Sequence, residues 1–306
     1  MKPPPSQGPQ FEALMAEIDR KLSMEGIDIP SRSIHAAREV SMRFDLHMPL
    51  GGDPARMPPE IRKNAELSEA IHQWYQDNYG DRLKEDPCPG HSVLLLDGDL
   101  YKLRVPRLFG SVEFVVTREW LSEPGISRAP VITNIVQLVA DMTPSRASRL
   151  SDDALRHLAQ GFERALPASY LLESTNHALM YSARGDVDVA VRSLMERGDR
   201  FGASKWVSLQ ASEKVLKAAI ELEGAQFAFT HDLAKLRADL EDAGITIDAD
   251  KQIAAIQCSP SIRYGEEACS REEALSAHHA SLDLVNLLHA SGAKFEPGIG
   301  GLEAGA

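Results

Sequence analysis

The chain has 306 residues, long enough for two cores, and its 43% hydrophobic and 25% charged residues match an ordinary globular protein. Its formal net charge of −12, from 33 Lys+Arg against 45 Asp+Glu, excludes bulk-charge coating of nucleic acid or anionic membrane and leaves room only for a small basic pocket. After residue 128 the balance is 17 basic against 25 acidic, so most of the acid excess lies in the later part of the chain.

The first ten residues are proline-rich and contain no apolar core, so they read as a mobile tail and not as a secretory signal. No stretch approaches the ~18 apolar residues of a membrane span. The three cysteines, Cys88, Cys258 and Cys269, form no Cys-x-x-Cys pair and read as free thiols of a reducing cytoplasm. Residues 11–128 are expected to form a small α+β domain. Within it, Phe11 to Met24 and Pro58 to Tyr79 carry helical periodicity, with a loop at Met48–Pro54 between them. The period then switches. Apolar runs on either side of Asp97-Gly98 predict a β-hairpin, and Val112–Thr117 a third strand of a small antiparallel element.

After Pro130 the strand signals stop. Residues 129–165 read as connecting helices and 166–291 as an all-α, up-and-down helical bundle, punctuated by Pro167, Gly185, Gly198, Gly224 and Gly244. Trp206, Leu209, Ser212, Leu216 and Ile220 share one helical face. Thr230 is the expected N-cap of the next helix, which stops at Gly244. Ser270-Arg-Glu-Glu273 is a capping box, after which Leu275, His278, Leu282, Val285 and Leu288 line one stripe. Residues 292–306 are glycine-rich and read as a disordered tail. Zinc spacing, a Gly-x-Ser-x-Gly elbow and a Walker phosphate loop are all missing, so no metal or cofactor is implied.

Three segments, in order, carry a resemblance. Phe201-Gly-Ala-Ser-Lys-Trp-Val-Ser-Leu-Gln-Ala-Ser-Glu-Lys-Val-Leu-Lys-Ala218 is similar to the second helix of the HEPN family. Thr230-His-Asp-Leu233 resembles that family's helix start, and Ser261-Ile-Arg-Tyr264 its entry to the final helix. The resemblance covers roughly residues 168–290 and implies a dimerising helical domain that binds nucleotides or RNA. Active members are metal-independent endoribonucleases of toxin–antitoxin or defence type, often partnered by a nucleotidyltransferase-type antitoxin. The resemblance implies Arg271 and His278 as the catalytic pair, with Arg263 and His231 toward phosphate or nucleotide. Seven positions separate Arg271 from His278, almost two full turns, so both are expected on one face. The alternative is a non-catalytic dimerisation or interaction module, in which His278 is a core histidine and Glu272 repels phosphate.

Overall fold

The computed structural model describes residues 4–49, 54–83, 88–122, 130–196 and 200–298. The chain divides into two compact units, residues 1–87 and 88–306.

The first unit is helical. α1 (Gly8–Met24), α2 (Ile29–Phe44) and α3 (Pro59–Tyr79) close on one another because α1 buries Phe11, Met15, Ile18 and Leu22, one side of a 3.6-residue repeat. Ile71 and Tyr75 of α3 join them, while Ala36, Ala37 and Val40 supply the α2 face. Those small residues explain why α2 has no strong sequence signal: it buries little apolar area per turn. Asp19 ties the three helices, accepting from Arg32 Nη1 at 3.3 Å and from Tyr79 Oη at 2.6 Å.

The second unit begins with β1 (Gly90–Leu96) and β2 (Asp99–Val105), an antiparallel hairpin in which Leu96 faces Asp99. Its turn residues Asp97 and Gly98 both have positive φ, 49° and 94°, as the Asp-Gly signal requires. The third strand, β3 (Val112–Val115), does not extend this hairpin. It pairs in parallel with β4 (Val131–Asn134), a strand without a local sequence signal.

Asn134, buried at the end of β4, does the work of a further strand. Its Oδ1 accepts from Thr117 N and Val136 N, and its Nδ2 donates to the Thr117 and Glu119 carbonyls. Replacing Asn134 with Ala orphans these four backbone groups and should cost about 4 kcal/mol in urea unfolding, at roughly 1 kcal/mol per lost bond. A cost below the error of the measurement would refute this role.

The helices follow: α4 (Pro144–Ala147), α5 (Asp152–Ser174), α6 (Ala178–Met195), α7 (Phe201–Leu222), α8 (Leu233–Asp242), α9 (Asp250–Ile256) and α10 (Arg271–Ala290). Pro167 and Gly185 do not interrupt them. α5 runs through the proline because Leu166, Ala168, Tyr170, Leu171 and Leu172 are buried around it, which offsets the ~3 kcal/mol that an interior proline costs. Ser204, Ser208 and Ser212 of α7 donate to carbonyls of Ala190, Ser204 and Ser208, so a polar row is satisfied inside the core.

The unit boundary therefore differs from the expected division at residue 128. Leu94, Leu96, Leu103 and Val105 of the hairpin enter the same core as Leu158 and Phe162 of α5 and Leu209 of α7, so hairpin and helices form one α+β body. The tail expected from residue 292 is also shorter, since Ala293 and Phe295 are buried in that core; residues 299–306 lie outside the described set. Among the described residues no helix is long and apolar enough to cross a membrane.

Candidate functional site

α10 starts as its sequence dictates. Ser270 Oγ accepts from Glu273 N at 3.1 Å and Glu273 Oε2 accepts from Ser270 N at 2.8 Å, closing the capping box. The helix then sends Arg271 and His278 to different environments. Arg271 Nη1 donates to the Gly98 carbonyl at 3.0 Å and its Nη2 is 2.9 Å from Glu272 Oε1, so it clasps the hairpin turn. His278 is 0% exposed, and its Nε2 lies 3.1 Å from Ser92 Oγ of β1. Burial pushes its pKa down to about 3, with His279 and Arg164 adding repulsion, so the ring is neutral at pH 7.

The expectation that Arg271 and His278 share one open phosphate-binding face is corrected accordingly. His278 sits in the apolar stripe with Leu275 and Leu282, and that stripe faces inward. Its neighbour His279 is half-buried, and its Nε2 lies 2.7 Å from Val93 O. Burial pushes the His279 pKa down to about 4.

His231 is placed differently. α8 is capped by Asp232, whose Oδ1 accepts from Ala234 N and Lys235 N; Thr230, the expected cap, instead accepts from Asp232 N. This leaves His231 in the loop before the helix, with an exposed side chain. Its Nδ1 lies 2.6 Å from Glu213 Oε2, and Lys217 Nζ donates to the other oxygen, Oε1, at 2.5 Å. Glu213 and Lys217 are both buried and one turn apart on α7, with the acid on the N-terminal side, the more favourable order. Lys214, on the same helix, is paired with Asp186.

The His231 ring meets Trp206 of α7 at 5.7 Å between centroids and 59° between planes. Gln257, just after α9, joins the pieces: its Oε1 accepts from Leu233 N and its Nε2 donates to His231 O. Trp206, Thr230, His231, Asp232, Gln257 and Pro260 line an open cavity of about 400 Å³. Phe229, 97% exposed, precedes this wall, and Arg263 follows Pro260 in the 3-10 turn Pro260–Tyr264. The Arg263 guanidinium lies 5.7 Å from the exposed Tyr264 ring. Nearby, Glu267 accepts from the hydroxyls of Ser259 and Ser261.

Of the four sequence-chosen residues, the fold thus places His231 on the cavity and Arg263 in the turn that begins at its rim. It sends Arg271 to the hairpin and His278 to the core. The sequence reading missed Glu213 and Gln257, and it treated Trp206 only as a face residue. One signal was present: an acid and a base four apart, Glu213 and Lys217, on the helix that carries the Trp206–Ile220 face. Among the described residues no group of three or more His, Cys, Asp or Glu is placed to hold a metal ion. Comparison of the chain with protein-family models, with curated proteins and with solved structures found no match in any of the three.

Proposed function

We propose that residues 88–298 form a HEPN-like binding module for nucleotides or single-stranded RNA, with His231 as its working histidine. The observation that carries the reading is the Glu213–His231 pair at the mouth of the Trp206 cavity. A buried carboxylate on Nδ1 fixes the imidazole and leaves Nε2 to meet a ligand, as second-layer carboxylates do for functional histidines. The walls suit a base better than a phosphate. The exposed His231 ring, packed against the buried Trp206, offers ring surface, whereas the Asp232 carboxylate repels an anion. A nucleotide would place its base in the cavity and its phosphate outward, toward the turn that carries Arg263. The exposed Phe229 and Tyr264 rings are the kind of platform on which unstacked bases lie. Arg271 and His278 have no part in this reading, and neither does strand cleavage by that pair.

Calorimetric titration with mononucleotides and a short single-stranded RNA tests it. Binding in the micromolar to millimolar range is expected, weakened about tenfold by His231→Ala, a loss on the scale of one charge-assisted hydrogen bond. Arg271→Ala should leave the affinity unchanged. Failure of every nucleotide to bind at millimolar concentration would sink the proposal, as would equal affinity in His231→Ala.

A further inference from the structure

A second cluster of reactive groups lies at the start of β1, outside the cavity just described. Cys88 Sγ is 3.4 Å from His91 Nε2 and 3.8 Å from Nδ1. Asp188 of α6 has Oδ1 3.7 Å from Nδ1. Arg184, one turn earlier on α6, donates from Nη2 to the Cys88 carbonyl at 3.2 Å, which fixes the backbone that carries the thiol. Its Nη1 and Arg107 Nη2 both reach Glu173 Oε1 of α5, at 3.3 and 2.6 Å. The thiol and imidazole, three residues apart at the start of β1, thus meet a carboxylate and a guanidinium carried one turn apart on α6.

We propose that Cys88 is a thiol–disulfide exchange site for low-molecular-weight disulfides, with His91 as its proton acceptor and Asp188 as the residue that positions the imidazole. The thiolate is the nucleophile in such exchange, and the His91 imidazole stands within reach of the thiol proton. In the step itself, the Cys88 S–H proton passes to His91 and the sulfur attacks one sulfur of the disulfide. That S–S bond breaks, and the departing thiolate takes the proton from His91. Cys88 ends in a mixed disulfide, and half of the small molecule is reduced to thiol. With Cys88 4% exposed, the site admits only small partners. The other two cysteines lack these neighbours, and burial pushes the Cys258 thiol up to about 11 and raises that of Cys269.

The ordering is counterintuitive, because the most buried of the three cysteines should react first. The full chain is incubated at pH 7 with bis(2-hydroxyethyl) disulfide, and the modified cysteines are mapped by mass spectrometry over time. Cys88 is expected to react at least tenfold faster than Cys258 and Cys269, and His91→Gln should slow Cys88 at least tenfold while leaving the other two unchanged. Asp188→Asn, at a half-exposed position, should move the half-maximal pH of the Cys88 rate downward, because losing a negative charge beside His91 disfavours its protonated form, with Arg184, Arg107 and Glu173 still facing the site. Prior modification of Cys258 or Cys269, an unchanged Cys88 rate in His91→Gln, or an unmoved pH midpoint in Asp188→Asn would each overturn the proposal.

Discussion

Lowering the pH from 7 to 4.5 should destabilise the wild-type protein far more than its His278→Gln variant. The folded ring, sealed against Ser92, takes a proton only near pH 3, whereas an unfolded histidine does so at about 6.5. Above 6.5 both states are neutral and the group adds no pH dependence. Below it the unfolded chain binds a proton that the folded chain refuses, so stability falls as pH drops toward the folded value. The slope is at most about 1.4 kcal/mol per pH unit, or up to about 2.7 kcal/mol at pH 4.5. Glutamine retains a hydrogen-bonding group for Ser92 and removes the titration. Urea unfolding at the two pH values reads the difference, and parallel losses in wild type and variant would show that His278 does not refuse the proton. The same property explains why His278 makes a poor general base: a ring neutral down to such low pH has little affinity for a substrate proton.

The second large effect is expected at Gly202, in the first turn of α7. A Cβ there would sit 2.3 Å from the Ile262 carbonyl oxygen and 3.2 Å from its carbon. The obstacle is backbone, and Ile262 is itself buried, so relief requires moving the whole 3-10 turn Pro260–Tyr264. Gly202→Ala should therefore cost about 1–3 kcal/mol, even though alanine gains up to ~1 kcal/mol in helix propensity. Gly161 of α5 provides the contrast. Its added Cβ meets Leu94 Cδ2 at 2.1 Å, a side-chain terminus instead of backbone although Leu94 is itself buried, so Gly161→Ala should cost less than Gly202→Ala. Thermal or urea unfolding of both variants checks the ordering, and an equal cost at the two sites would refute it. Because Pro260 forms one wall of the His231 cavity, Gly202→Ala should also weaken nucleotide binding, a link between a helix-packing contact and the proposed function.

Much of the local structure was legible in the residues. α1, α3 and α7, the Asp97-Gly98 hairpin and the Ser270–Glu273 capping box depend on interactions within a few positions, and the chain spells those out. α2 was hidden because its inward face is Ala36, Ala37 and Val40, which scarcely differ in pattern from a polar loop. β4 was hidden because a parallel pair is specified by its distant partner, here Val112–Val115, and by Asn134 turning back to Thr117 and Glu119. The break expected at Pro167 failed because tertiary burial outweighed a local penalty.

The histidines divide along the same line. Periodicity alone puts His278 in an apolar stripe, so its burial is legible in the sequence. What the sequence could not show is the hydroxyl that meets it, since Ser92 lies 186 positions away. Nor could it show that His231, in a loop with an ordinary capping motif, stands over a buried Glu213 and against Trp206. The one-dimensional chain determined which residues want to be inside and where helices begin. Which polar groups meet at short range was decided only by packing, because such contacts depend on how faces from distant segments are stacked and not on spacing along any one of them.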